Sequence, residues 1–393
     1  MVLKVLHGPG RPPGTVQVDL RAPTISPGTR VWRLFPGEGY QFLQSFQDQR
    51  IGFLDFPGLE LPRGDLAQAP DLVPRIARSQ EIAKRLSEVP DTDMAFNLED
   101  FAAARATAHR TRLRGALIGF YQEARQGDYV VLPEPVYMSR VWVGQFTTNT
   151  VVNGHYYRRY GRTPIPARAI DWLANFPENM ISTALSQSLR HQHPFTLLER
   201  SLFVETFSLV HGSFVYGDRH VSTIYNDRSD FLDSDAALLG AISRLSAAAS
   251  RSVDLGLPDL AVVDLIDILL RSPPIEYTCA QESDIHSAGF NRYISAAITP
   301  LVIAAVVSAV LGLSQSSSRE ALATDVQQLQ IMNNAPNADP QCTARVSEAS
   351  QRVLRMLGMD RTWALCEAAR AANDRAGIRS SAPVILPPRP AQH

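Results

Sequence analysis

Lysine is nearly missing from this chain: Lys4 and Lys84 are the two it has among 393 residues. Neither follows a matching pair of acids, so the acid-acid-lysine constellation that holds a metal ion for phosphodiester cleavage cannot be assembled. Other catalytic patterns are missing too, with no GxSxG elbow and no phosphate-binding P-loop. His191 and His193 are close in sequence, but no cysteine or carboxylate cluster joins them at zinc spacing. The expectation is therefore a protein that is not an enzyme and uses no cofactor and no metal. The opening MVLKVLHGPGRPPG has no apolar stretch of signal-peptide type, so the large N-terminal part is expected in the cytosol. A formal net charge of −1 with 45% hydrophobic residues is that of a globular protein and excludes a generally basic nucleic-acid coat. Any polyanion binding must come from local charge. The cations are almost all arginine, whose planar fork suits phosphate, although a GC-biased coding sequence gives the same count.

Charge is also missing locally. From Tyr293 to Ser318 no side chain is charged, and Ile294 to Leu313 reads ISAAITPLVIAAVVSAVLGL. About twenty helical residues at about 1.5 Å each match the roughly 30 Å hydrocarbon core of a bilayer. One reading is a single transmembrane helix. The other is a buried central helix, which the alanine content and Pro300 favour. At helical spacing Ala297, Leu301, Ala304, Ala305, Ser308 and Gly312 share a face rich in small residues, and in a lone span such a face predicts self-association into a homo-oligomer. Cys342 and Cys366 follow this run. A disulfide between them suits an oxidising compartment, and two buried free thiols suit any other.

The remaining organisation follows from periodicity and turn residues. Residues 1–29 are rich in Gly and Pro and read as an arm. A strand from Arg30 enters a Gly-Pro turn, a helix pattern follows at Tyr40 to Gln49, and a second strand covers Arg50 to Phe56. Helical periodicity covers Pro74 to Glu88 and Leu98 to Gln126, and strands alternate from Gly127 to Asn149. Ser201 to Tyr225 reads as strands joined by turns, in a connector spanning 196–292. Helices are expected at Ser234 to Ser250 and Leu260 to Arg271. After an apolar segment at 293–318 comes a tail of two or three short helices, 319–382, and a Pro-rich end, 383–393, read as disordered. No internal repeat is present.

RVWRLFPGEGYQFLQSFQDQRIGFLDF, a helical insert, GDYVVLP, a strand ending VGQF, and RAIDWLANFP occur in that order between about residues 30 and 195. This series resembles the PUA/EVE-like module at the N-terminus of Mrr-type restriction proteins. Asp55-Phe56 stands where that family has Gly-Trp. The resemblance implies an α+β chain whose residues 30–195 form a small β-barrel with helical inserts, similar in shape to barrels that hold a flipped-out base or a nucleic-acid end. A β-rich segment, the transmembrane helix and the helical tail would follow it.

Binding residues are the next expectation. His155 to Arg168 contains Arg158, Arg159, Arg162 and Arg168 without an acid, interleaved with Tyr156, Tyr157 and Tyr160. Arginines that neutralise phosphates beside tyrosines that stack on bases are the combination of single-strand binders. The same pattern also suits a solvated turn with packed tyrosines. Arg105, Arg110, Arg112 and Arg114 form a second basic run on a helix. Trp32, Phe35 and Tyr40, with Tyr137 and Trp142, line either a base pocket or a core. A cytosolic reader fused to one apolar helix resembles membrane effectors of bacterial anti-phage systems, including nucleotide-controlled ones of the Hailong type. That architecture implies an inner-membrane effector that senses a nucleotide or single-stranded oligonucleotide supplied by a nucleotide-producing enzyme, then as a homo-oligomer opens a pore in the membrane or disrupts it. The other reading is a soluble reader of modified or foreign DNA that recruits a separate nuclease.

Overall fold

The computed structural model describes residues 16–89, 96–135, 140–191, 193–258, 265–271, 273–284 and 289–385. It is α+β with mixed sheets, and it divides into two compact units. One unit is Gly28–Val210, and the other joins both ends of the chain, up to Pro27 and from His211 onward.

In Gly28–Val210 the sheet runs Ile51–Phe53, Ile165–Pro177, Arg140–Phe146, Tyr129–Pro133, Val31–Leu34, Phe195–Leu197, and Val152–Gly154 also pairs with the long strand Ile165–Pro177. Val31–Leu34 lies parallel to Tyr129–Pro133, and the other pairs are antiparallel. The sheet curves as a half-barrel. A bulge between Val143 and Gly144 marks one bend, and there a Cβ on Gly144 would lie 2.7 Å from both Ile170 and Trp172. The core is strongly aromatic, with Phe42, Phe46, Phe53, Phe120 and Phe146 all under 2% exposed. Helices Leu72–Glu88 and Ala108–Ile118 add Leu72, Ile76, Ile82, Leu86 and Leu117 to it. A π-helical turn, Gly119–Glu123, follows. Arg168, 1% exposed, crosses the core to reach it, donating to the carbonyls of Phe120 (2.7 Å) and Ala124 (2.8 Å) with its guanidinium 4.1 Å from the centre of the Phe146 ring. Arg168 is thus a structural staple, separated from the exposed arginines it follows in sequence.

The unit built from both chain ends overturns the transmembrane expectation. No helix among the described residues is long and apolar enough to cross a membrane. Ile294 and Ser295 close the strand Gly289–Ser295, and the helix proper is Thr299–Leu313. Its 15 residues reach about 22 Å, short of the roughly 30 Å that a span needs. Pro300 sits in its first turn, where a missing N–H costs nothing. Every residue of the helix except Leu311 is buried, because protein surrounds it. Helices Asp233–Asp254 and Pro340–Ala376 and the strand Arg219–Asn226 pack around it.

The small-residue face of this helix is filled by the chain itself. Ser308 Oγ donates to the Ala382 carbonyl at 2.6 Å, and Ser380 Oγ donates to the Ala304 carbonyl at 3.0 Å. A Cβ on Gly312 would lie 2.8 Å from Val384 and 3.1 Å from Val16. Leu301 and Ala305 belong to the same buried cluster, while Ala297 lies before the helix begins. Small residues do permit a close approach here, to the segment Ser380–Ile385 and to Val16. An apolar helix with no polar face is equally the signature of a protein core, and composition does not separate that from lipid.

Other elements differ from the sequence reading. The stretch expected as strands from Ser201 holds the helix Phe203–His211 before the hairpin Phe214–Tyr216 and Arg219–Asn226. Thr206 and Ser208 fit that helix by bonding back to the carbonyls of Leu202 (2.9 Å) and Val204 (2.7 Å). The tail holds the helix Arg319–Gln327 and then the helical stretch Pro340–Ala376, in which two helices meet at a kink at Gly358 (φ 68, ψ 173). Cys342 and Cys366 lie buried on that stretch either side of the kink and are free thiols. From the arm, Gln17–Asp19 pairs with Gln330–Met332 and Val384–Ile385, and Thr24–Ile25 pairs with Phe214–Tyr216. Residues 1–15 and 386–393 lie outside the described residues.

Candidate nucleic-acid interface

The basic-aromatic segment lies in Gly28–Val210, between the strands Val152–Gly154 and Ile165–Pro177. Arg158–Tyr160 is a single 3₁₀ turn, closed by Gly161 N–H donating to the Arg158 carbonyl at 3.1 Å. Gly161 has φ 53 and ψ −121, a conformation that a Cβ resists.

Two tyrosines fix the turn from beneath. Tyr160 is 6% exposed, and its hydroxyl donates to Asp55 Oδ1 at 2.6 Å. The Tyr157 hydroxyl donates to Gln41 Oε1 at 3.1 Å, and its ring stands edge-on to Phe42 (4.8 Å) and Tyr160 (5.0 Å). Burial pushes the Asp55 carboxyl above the usual range and Glu38 adds to that, while the Tyr160 hydrogen bond pulls it down. Burial and the Asp55 charge together hold the Tyr160 hydroxyl protonated. Asp55, which departs from the Gly-Trp of the PUA/EVE-like pattern, is thus the acceptor that seats the turn.

Above these anchors Arg158, Arg159 and Arg162 are exposed, and none of their guanidiniums has a hydrogen bond or ion pair among the described residues. Arg63, Arg105, Arg112, Arg125 and Arg200 of this unit are likewise exposed without a side-chain hydrogen bond or ion pair among the described residues, but they are scattered, and many of the remaining arginines are engaged. Arg75 pairs with Asp71 and Glu60, Arg78 with Glu60, and Arg85 with Glu81. In the second basic run, Arg110 donates to Gln80 and to the Arg105 carbonyl, and Arg114 to the Ala67 carbonyl.

The expected aromatic pocket is not one group. Trp32 has Phe195 stacked on one side (4.8 Å, 14°), the Arg30 guanidinium over its ring at 5.2 Å, and its indole N–H on Asp128 at 3.0 Å. Trp142 donates to Glu134 at 2.6 Å and stands edge-on to Trp172, whose own N–H donates to the Phe46 carbonyl. Tyr137 lies outside the described residues. Tyr40 sits on the loop Pro36–Phe42, tied to the basic turn by the Gln41–Tyr157 bond. Its φ is 59, a left-handed conformation that costs a bulky residue about 1–2 kcal/mol.

A separate cavity of about 540 Å³ is lined by Trp32, Arg33, Gly115, Gly119, His193 and Phe195 among others. Arg33 builds one wall: 1% exposed, it donates to the carbonyls of Ser188, His191 and His193 and to Thr196 Oγ1. Burial lowers its pKa to about 10, so it stays charged at neutral pH. His193 Nδ1 lies 2.9 Å from the Phe195 carbonyl and carries the hydrogen there, and burial keeps the ring below its ordinary pKa. Arg33 and Gln41 were not singled out by sequence. An isolated arginine in a strand and a glutamine in a turn carry no pattern. No cluster of His, Cys, Asp and Glu among the described residues is placed to hold a metal ion.

No protein-family model matches the chain, and no curated protein or solved structure matches it either.

Proposed function

We propose that Gly28–Val210 binds the phosphate backbone of a nucleic-acid strand through the turn that carries Arg158, Arg159 and Arg162. The observation that carries this reading is three exposed guanidiniums within five residues, free of acid partners among the described residues, on a turn segment seated by the Tyr157 and Tyr160 hydroxyls. Each guanidinium offers a planar donor fork that fits phosphate oxygens in pairs. The PUA/EVE-like resemblance points the same way, but the proposal stands on the turn.

Tyr157 and Tyr160 do not take part as stacking platforms, since their rings and hydroxyls are committed to Phe42, Gln41 and Asp55. Their part is to hold the arginines in place. Contact is therefore with the backbone and tolerant of sequence, and the module serves as a reader of nucleic acid, with any cleavage left to a separate nuclease. A membrane pore is no part of this reading, because the helix it needed is a core helix. The test is fluorescence anisotropy of the full chain with a labelled oligonucleotide at low salt. Joint substitution of Arg158, Arg159 and Arg162 by alanine is expected to weaken binding at least tenfold. Alanine at Arg105 and Arg112 on the other basic run is expected to leave it within about twofold. Equal losses in the two variants, or none in the first, would refute the assignment.

A further inference from the structure

We infer that Tyr40 is the base-stacking residue of this interface, so that the unit selects a single strand with accessible bases over a duplex or a bare polyphosphate. This rests on the backbone contact proposed for Arg158, Arg159 and Arg162. Three residues of the loop Pro36–Phe42 are left-handed: Gly37 (φ 78), Gly39 (φ 61) and Tyr40 (φ 59). At the first two the chain uses glycine, which adopts that conformation without strain. At the third it keeps a bulky aromatic, although glycine would relieve the strain there too. Among the described residues Tyr40 is the sole aromatic with a positive φ. Strain of this kind persists where the side chain has a task, and the inference runs from the outlier to the task.

The surroundings say what that task is. Tyr160 is buried, and Tyr157, half-exposed like Tyr40, has its hydroxyl on Gln41 and its ring edge-on to Phe42 and Tyr160, whereas the Tyr40 ring has the Phe35 ring edge-on to it at 5.1 Å and 62°. A Cβ built on the neighbouring Gly39 meets nothing within 4 Å, so the space beside the loop is open. The loop cannot drift from the arginines, because Gln41 accepts the Tyr157 hydroxyl at 3.1 Å and Tyr157 immediately precedes Arg158. A half-exposed ring on a loop tied through Gln41 and Tyr157 to the turn of unpaired guanidiniums suits a strand whose phosphates meet the arginines while one base lies on the ring. Duplex bases are already stacked and paired, and polyphosphate has none.

The experiment measures affinities of the full chain for a short oligothymidylate, for a duplex of equal length and for polyphosphate of similar charge. Tyr40→Gly is expected to lose about 5- to 150-fold on oligothymidylate, the range spanned by one base on one aromatic ring, and nothing on polyphosphate. Its melting temperature should hold or rise, since the strain is gone. Tyr40→Trp is expected to keep the preference for the single strand. An equal loss on both polymers would make Tyr40 a support for the turn, and no loss on either would leave it without a role; both results overturn the inference. The triple arginine variant separates the two claims. If it loses both polymers while Tyr40→Gly loses neither, only the stacking role falls, and if it binds as wild type the backbone reading falls as well.

Discussion

Replacing Tyr160 with phenylalanine removes one hydroxyl and isolates a buried carboxylate, and the size of the effect follows from the geometry. Where Asp55 is ionised the lost bond is one to a charged acceptor, worth about 1.5–3 kcal/mol, whereas a bond to the neutral acid is worth about 0.5–1.5 kcal/mol. Asp55 holds its proton more tightly in the folded protein than its ordinary 3.8, chiefly because it is buried. Its contribution to stability is therefore fully present below that value and is lost as pH rises through the raised folded value. Tyr160→Phe deletes the one interaction that pulls the Asp55 value down, so the loss should become larger and extend to higher pH. Urea unfolding followed by circular dichroism at about pH 4 and at pH 7 reads this directly. The penalty with Asp55 ionised corresponds to about 3–12 °C in melting temperature for a unit of this size, and it should be smaller at the lower pH, where the carboxyl is protonated. A penalty below about 0.5 kcal/mol, or one equal at both pH values, would refute the idea that Asp55 seats the basic turn.

The other predictions concern the core helix and the thiols. Gly312→Leu should destabilise the chain by about 1–3 kcal/mol or more, because its side chain would overlap Val384 and Val16; a thermal melt unchanged within about 1 °C would refute that packing. Ser308→Ala should cost about 1 kcal/mol by leaving the Ala382 carbonyl without its donor, read from the shift in urea midpoint. Cys342 and Cys366, buried and pushed up to about 11 and about 12, should resist alkylation at pH 8 in the native protein and react once it is unfolded; fast native labelling would contradict their burial.

What the sequence reveals and conceals can be traced to particular residues. Short apolar runs bounded by turn residues mark Val31–Leu34 and Ile51–Phe53, all of whose residues are buried, and helical spacing marks Leu72–Glu88, which has one face in a core. Thr299–Leu313 has no polar face, so periodicity is silent and only the surroundings decide. Those surroundings come from Val16 near one end of the chain and Ser380–Ile385 near the other, a pairing that no local pattern encodes. The basic turn is legible as a charge cluster. The direction of its tyrosines is not, because that depends on Asp55 and Gln41, over a hundred positions away.

The most direct test of the central claim is the salt dependence of binding. Each phosphate contact to a single strand releases condensed counterions and contributes about 0.7 to the slope of log affinity against log salt. Titrating full-length chain and the Arg158, Arg159 and Arg162 alanine variant against the same oligonucleotide should show weaker binding and a slope shallower by about 2 in the variant. A slope left unchanged by the three substitutions, or no binding by the wild-type chain at low salt, would contradict the account.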